Sequence, residues 1–554
     1  MKKIIIFLII ILAFWLRFFK LGEIPPSLYW DETSLGYNSY LVANSLHDEH
    51  GELLPLARFI AFGDYKPPGY IYAAVSSVWL LGLNEFSIRL PSMIAGILMV
   101  VFTYLLVREL FKSEKIAILS SFLLSISPWA IQFSRAAFEA NLAALFNLLG
   151  IYFFLLSRRK KFTLVFSVIF FILSFYTFNA NRIIAPLTIF GLSLIYFKNL
   201  WANKKWLIIS AVAGVVLILP SLSYFSGRES KLRFQEVSIF NNLEPIKLSN
   251  QRIETDQNSI FSKIIHNRRV LFAIDFLRHY FDNFTFRFLF THGDVNPRLN
   301  PGRMGHLYVF ELPFLFFGIY WLIKKREKGG LILLLWMIIA TIPAGTAKET
   351  PHALRVLSIL PTYQIIVGYG IYQLGIIIKR KFFANSSTSG ESIYAGHPRG
   401  VLTAHRFLLF SLCFLLSVNI YYYLHNYYIH YLVNWSGEWQ YGYKQMVQYI
   451  LNIEKDYDRI FVTPALGRPY IYFAFYKPYT FDEFQKEKDI SRDWFGFWSV
   501  NALGKIKFNF LGLKEAVGKV LVIAAPNEFP NGFRILTSIK NLAGNDEFII
   551  GEKI

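Results

Sequence analysis

Cysteine is all but missing: the 554 residues contain one, Cys413, and it lies inside an apolar stretch. A single thiol excludes a disulfide framework and a cysteine-ligated zinc site. Charge is scarce as well. Asp, Glu, Lys and Arg make up 17% of the chain while 54% is hydrophobic and 18% aromatic, against roughly 25% charged in an ordinary soluble protein. The balance excludes a soluble enzyme and indicates a polytopic α-helical membrane protein. Neither G-x-x-x-x-G-K-[ST] nor G-x-G-x-x-G occurs, so no phosphate-cradling nucleotide site is expected. No internal repeat of fixed period occurs either. Acids are outnumbered, 37 against 57 Lys and Arg, for a formal net charge of +20. Such a charge invites a nucleic-acid reading, but its placement decides its meaning.

The cations lie in short clusters between apolar runs. Runs near the 20 or so residues needed to cross a bilayer centre on 88–110, 115–134, 140–157, 162–179, 183–197, 206–222, 306–323, 329–347, 353–378 and 405–424. The N-terminal segment, Met1-Lys2-Lys3 followed by Ile4 to Phe19, lacks an Ala-x-Ala cleavage site and ends in Arg17, Phe18, Phe19 and Lys20. It reads as an uncleaved first helix rather than a signal peptide, giving about eleven spans. With a cytoplasmic N-terminus, every short basic cluster falls inside, as the positive-inside rule requires. These are Arg108/Lys112/Lys115, Arg158 to Lys161, Lys198/Lys204/Lys205, Lys324 to Lys328 and Lys379 to Lys381. Counting the uncharged stretch Pro67 to Leu83 as a span would reverse them, so it is read as interfacial or re-entrant. The cations thus belong to the membrane, and no nucleic-acid partner is expected.

The same topology leaves large outer regions at residues 20–87 and 223–305, both within a transmembrane domain of residues 1–429. The tail, residues 430–554, is expected to form an extracytoplasmic α/β domain, with a helix over Trp439 to Ile453 and strands at 459–463, 519–524 and 547–551. Residues 382–404 read as a flexible cytoplasmic connection. In the middle loop Phe272, Phe276, Tyr280, Phe284 and Phe288 recur every four residues among charges. This pattern predicts an amphipathic helix lying on the bilayer by its aromatic stripe.

Chemistry concentrates in the outer loops. Asp31 and Glu32 follow Trp30; His47-Asp48-Glu49-His50 and Asp64-Tyr65-Lys66-Pro67-Pro68 come next; Arg135 precedes Glu139; His292, Asp294, Arg298 and His306 follow, then His352 and Arg355. Acids and bases from separate loops can meet on one membrane face. A sugar carried on a polyprenyl phosphate would need a carboxylate to take the acceptor proton and cations to hold the leaving phosphate. Asp31 suits the first task, and Lys66, Arg135 and Arg355 the second. Plainer readings stand beside these. Asp31 and Glu32 can cap a helix, Glu139 can pair with Arg135 at i,i+4 spacing, and Lys66 and Arg355 can anchor helix ends by snorkelling. The His47–His50 cluster reads as a solvated turn more readily than as a metal site. The competing class is a polytopic transporter or lipid flippase, which would carry ionisable or broken-helix signals near mid-membrane; here the acids lie in loops.

Asp31-Glu32 with Gly36-Tyr37, Phe62-Gly-Asp-Tyr-Lys-Pro-Pro68, Asn84-Glu-Phe-Ser87, Arg89-Leu-Pro-Ser92 and Ser134-Arg135 with Glu139 together resemble membrane glycosyltransferases of the C-type (GT-C) fold. The similarity is to bacterial and archaeal relatives of protein O-mannosyltransferases (glycosyltransferase family 39) and to lipid A aminoarabinose transferases. It covers the first 160 residues well and extends loosely through His292 to Arg298 and Pro351 to Arg355. The resemblance implies inverting transfer of a sugar, a hexose such as mannose, from a polyprenyl-phosphate donor to a hydroxyl of a protein, glycan or lipid. It implies Asp31 as general base with Glu32 beside it, Lys66 at the donor phosphate and Glu139 near the acceptor. Asp64, Tyr65, His292, Asp294 and Arg298 are candidates for further substrate contacts. Tyr65 stands where the lipid A transferases have an acid, so their kind of metal site is not carried over; no cofactor is required, and a divalent metal is left undecided.

Overall fold

The computed structural model describes residues 2–62, 64–227, 230, 235–300, 302, 304–384, 399–492 and 498–553, without the side chains of Asp64, Ser226, 381–384 and 399–409. Gly63 and most of the expected 382–404 connection therefore lie outside the described residues. The N-terminal half runs α1 (Lys2–Phe18), α2 (Trp30–Ser45), the hairpin β1 (Phe59–Ala61) and β2 (Asp64–Lys66), α3 (Gly69–Leu81), α4 (Glu85–Phe111), α5 (Glu114–Ile126) and α6 (Pro128–Ser134). It continues with α7 (Glu139–Leu156), α8 (Thr163–Thr177), α9 (Asn181–Ile195), α10 (Phe197–Trp201) and α11 (Lys204–Ile218). Further long helices are Leu312–Lys325, Lys328–Gly345, Thr362–Ala384 and Arg399–His425.

Each of the eleven expected apolar segments contains a helix, but their lengths differ from the expectation. Among the described residues four helices are long and apolar enough to cross a bilayer alone: Glu85–Phe111, Glu139–Leu156, Lys204–Phe225 and Lys328–Gly345. A fifth is the pair α5–α6, bent by 57°. The bend follows from Ser127-Pro128: proline supplies no N–H and starts a new helix, with the Ser127 hydroxyl accepting from Ala130 N. Expected helices at 306–323 and 353–378 begin late, at Leu312 and Thr362. Pro313 and Pro361 sit next to those starts, where the missing N–H costs nothing. Helix α3 has 13 residues, about 20 Å of helix, too short to span.

The C-terminal part is a seven-stranded mixed sheet in the order β4-β5-β6-β3-β7-β9-β8. Its strands are β3 (Arg459–Val462), β4 (Lys488–Arg492), β5 (Trp498–Leu503), β6 (Ile506–Lys507), β7 (Val520–Ala524), β8 (Phe533–Lys540) and β9 (Asp546–Lys553). Central β7 is buried at all five positions and pairs in parallel with β3. The three strands read from sequence are the apolar ones; β4 and β8 bury none of their residues fully and gave no run to read. The helix expected from Trp439 begins at Tyr443, because Gln440 and Gly442 take positive φ, 57° and 114°.

The sheet domain packs directly on the first loop. Helix α2 lies against Pro469–Tyr476, so closely that a Cβ on Gly36 would sit 2.6 Å from Phe475 Cε2. Tyr37 Oη donates to Tyr479 O at 3.1 Å. The aromatic stripe of 272–288 differs from its expected role. Tyr280 Oη donates to Ile338 O and Phe276 abuts Gly345, so the stripe packs on Lys328–Gly345. Ile274, Leu277 and Phe281, on the other face, are the exposed apolar residues.

Candidate active site

Three arginines, Arg17, Arg89 and Arg135, are fully buried where α1, α4 and α6 meet the first loop. Each donates to main-chain oxygens, Arg17 also to Ser134 Oγ and Arg89 also to a carboxylate. Arg135 donates to the carbonyls of Leu16, Arg17, Phe19, Lys20 and Ile24 and lies over the rings of Tyr427 and Tyr428. The first two lie in the last turn of α1 and the others in the chain that follows it, so the charge satisfies orphan acceptors at and just beyond the negative end of a helix. The expected phosphate role of Arg135 is thereby displaced: its two terminal nitrogens are committed to the scaffold. Its expected i,i+4 partnership with Glu139 is not formed among the contacts of either group.

Glu32 is likewise committed. Arg89 Nε and Nη2 donate to its two oxygens at 3.0 and 3.1 Å, and Ala137 N donates to Oε1 at 2.7 Å. Both side chains of the pair have no exposed surface. Arg89 also donates to the carbonyls of Leu21, Pro25 and Ser27. Glu32 thus ties α2, α4 and the 135–138 turn together, and the catalytic contact expected of it gives way to a positioning task. Neither acid is the N-cap, which is Tyr29 without a side-chain capping bond, but both lie in the first turn of α2, where the helix dipole favours a carboxylate.

Asp31 points elsewhere. Lys66 Nζ lies 2.8 Å from Asp31 Oδ1 and 3.9 Å from Glu139 Oε2. The lysine is nearly buried, while Asp31 is 30% and Glu139 14% exposed. The hairpin explains the lysine's aim: side chains alternate along a strand, and Tyr65 turns to the opposite face, buried against Tyr224. Tyr65 therefore does not share the Lys66 face as a substrate contact there. Asp64 pairs with Ala61 in the hairpin, and its side chain is outside the described residues.

Arg298 closes another side, with its guanidinium 5.3 Å from the Tyr29 ring centre and 5.1 Å from that of Trp30. The Tyr29 hydroxyl is pushed up by burial and then by the charges of Asp31, Glu32 and Glu139, and pulled down by Arg298. One tyrosine thus feels both acids of the open group and the arginine. The remaining expected residues separate. Asp294 is buried, accepts from Asn296 N and Ala353 N, and is pushed up to about 6 by burial. It joins the 292–298 loop to the turn carrying Arg355, which reaches Glu349. His292 is exposed beside Thr291. His306 is buried between Trp129 and Phe288.

The His47–His50 turn is not solvated as expected. Asp48 and Glu49 are buried under the sheet domain, where Tyr470 Oη donates to Glu49 and Lys488 Nζ donates to Glu49 O. Among the described residues no three His, Cys, Asp or Glu side chains gather as a metal site.

Two contributors escaped the sequence. Arg89 was visible as a cation within an apolar helix, a pattern that marks a buried task. Gln440 gave no signal: its Oε1 accepts from Trp30 N at 2.8 Å and from Tyr472 Oη at 2.6 Å, and its Nε2 donates to Leu466 O. A residue of the tail therefore holds the backbone immediately before Asp31.

Residues 7–225 match the family described as dolichyl-phosphate-mannose-protein mannosyltransferase. No curated protein sequence matches the chain. Among solved structures it is similar to apo ArnT from Cupriavidus metallidurans, with TM-score 0.56 and 11% identity over 100% of this chain and 97% of ArnT. Against ArnT bound to undecaprenyl phosphate the TM-score is 0.52 at 11% identity, over 100% of this chain and 98% of that one. Archaeoglobus fulgidus AglB, in complex with an inhibitory peptide and a dolichol-phosphate, gives TM-score 0.47 and 12% identity over 94% and 69%. The chain has the GT-C fold of membrane glycosyltransferases, and its residues 7–225 are similar to the dolichyl-phosphate-mannose-protein mannosyltransferases.

Proposed function

We propose that this protein is an integral-membrane glycosyltransferase that moves a sugar, a hexose such as mannose, from a polyprenyl-phosphate donor to an acceptor hydroxyl with inversion. The observation that carries the reading is the Lys66 ammonium held between Asp31 and Glu139. In the resting protein the lysine neutralises Asp31. A donor phosphate competes for the same ammonium, which frees the Asp31 carboxylate to accept a proton. Asp31 then takes the proton of the acceptor hydroxyl as its oxygen attacks the anomeric carbon. The glycosidic C–O bond to phosphate breaks, and Lys66 with Arg298 stabilises the departing phosphate charge. Glu139, across the lysine from Asp31, orients the acceptor. The site faces outside the cytoplasm in the cell membrane, with the N-terminus inside, and residues 430–554 form an extracytoplasmic domain over it.

The test uses purified protein and a polyprenyl-phosphate mannose, following release of polyprenyl phosphate, with undecaprenyl phosphate binding measured separately. Asp31→Asn should keep phosphate binding and lose about 10²–10⁴ in rate, the usual worth of a general base. Lys66→Met should lose phosphate binding. Transfer at the parent rate by a folded Asp31→Asn protein would overturn the mechanism.

A further inference from the structure

Helix α7 begins at Glu139, in the candidate site, and its 18 residues carry the chain about 27 Å to the opposite face. There the cations meet almost no acid. Glu109 serves both Lys112 and Arg159, Glu114 serves Lys2, and Glu327 serves Lys325. Among the described residues Arg158, Lys160, Lys161, Lys204, Lys205 and Lys328 form no ion pair, although all are exposed. Crowding is evident at Lys112, whose ammonium is pushed down by partial burial and by the charges of Arg158 and Arg108.

The cations are organised around one ring. Tyr196 is buried at the foot of a shallow cleft between the ends of α7, α8, α9 and α11, walled by Arg158, Lys161, Asn199, Asn203 and Trp206. The Arg158 guanidinium stands 4.9 Å and the Lys328 ammonium 5.4 Å from the centre of that ring. Arg158 and Lys161, both exposed and without an ion pair among the described residues, wall the same cleft, and an anion between them removes their repulsion. Below the cleft the surface turns apolar: Phe162, Phe166 and Ile208 are exposed on α8 and α11, as expected of helices in contact with acyl chains. Polar amides and cations at the head, with an apolar flank beneath, match the two halves of an amphiphile.

We propose that this cleft is a binding site for the headgroup of an anionic phospholipid in the leaflet opposite the candidate active site. The phosphate sits between Arg158 and Lys161, Asn199 and Asn203 donate to headgroup oxygens, and the acyl chains run down α8 and α11. The flank commits the site to a lipid rather than to soluble phosphate. The proposal is independent of the glycosyltransferase reading, because nothing in it uses Asp31 or Lys66.

The test measures lipid retained by the full-length protein, purified in neutral detergent and offered equal phosphatidylglycerol and phosphatidylcholine, by native mass spectrometry. Phosphatidylglycerol should be retained preferentially, and excess inorganic phosphate should not displace it. Basic groups near an anionic lipid surface are worth about fivefold in affinity each, so Arg158→Gln with Lys161→Gln should weaken retention by roughly 25-fold. The exposed single variant Lys161→Gln, which disturbs no packing, should weaken it about fivefold. Equal retention of the two lipids, unchanged retention by the Lys161→Gln protein, or displacement by inorganic phosphate would each overturn the proposal.

Discussion

Glu32 and Arg89 form a pair whose removal should be costly singly and not doubly. Glu32→Ala strips Arg89 of two charge-assisted bonds and leaves Ala137 N without its acceptor, while the guanidinium keeps only the carbonyls of Leu21, Pro25 and Ser27. Arg89→Met strands the carboxylate with one backbone N–H and leaves those three carbonyls short of a donor. Since both side chains are fully buried, each change leaves an uncompensated interior charge, a loss of about 3–5 kcal/mol. The orphaned Ala137 N–H accounts for about 1–3 kcal/mol of the first. Removing both charges together, as Glu32→Leu with Arg89→Met, eliminates the stranded charge, so the two effects must not add.

The assay is the thermal midpoint of detergent-purified protein for parent, Glu32→Leu, Arg89→Met and the double variant. Each single change should lower the midpoint, and the double should fall no further than the worse single. A double-variant loss equal to the sum of the singles would refute the buried-pair account. It would return Glu32 to the list of residues free to act on substrate.

Three further outcomes are expected. Burial pushes the Glu49 carboxyl up to about 8, with Asp48 adding to the rise and Lys488 opposing it. The folded state therefore holds a proton that the unfolded chain gives up near 4.5. Stability falls as pH rises between those values, and the loss is complete above 8. Thermal midpoints between pH 6 and 9 should decline less steeply for Glu49→Gln than for the parent, and parallel curves would count against it. Gln440→Ala leaves Trp30 N and Tyr472 Oη without their shared acceptor, a cost of about 1–3 kcal/mol. It should lower the transfer rate more than undecaprenyl phosphate binding; an equal fall in both would show that Gln440 merely supports the fold. Gly36→Ala drives a Cβ to 2.6 Å from Phe475 Cε2 and should cost about 1–3 kcal/mol by overpacking, read as a lower midpoint, whereas an unchanged midpoint would mean the α2 contact is loose.

What the sequence could and could not reveal follows from range. Apolar runs report their own burial, so the helical segments and the strands at 459, 520 and 546 were legible. The exposed strands β4 and β8 lack such a run, and their pairing is fixed by distant partners. In the site, Asp31 and Lys66 were legible as polar residues at a membrane boundary. Arg135 looked identical in kind, yet it is spent on carbonyls. Composition cannot distinguish a cation waiting for phosphate from one satisfying a helix end, because the difference lies in which main-chain oxygens the fold brings within reach. The Asp48–Glu49 turn misled for the same reason: acids beside a glycine read as solvated until a second domain covers them.

That covering bears on the catalytic proposal. Residues 30, 31 and 32 begin one helix, where successive side chains diverge by about 100°, so three neighbours answer to three different surroundings. Trp30 is fixed from the tail, its N–H on Gln440 and its ring beneath Arg298. Glu32 is fixed from the membrane side by Arg89 and Ala137 N. Asp31 lies between two anchored residues, and among the described residues its carboxylate pairs with a lysine on a two-stranded hairpin. A general base needs this combination, a rigid origin and an exchangeable partner. The buried Glu32 thus fixes the segment that carries Asp31, and the sheet domain holds the same segment through Gln440.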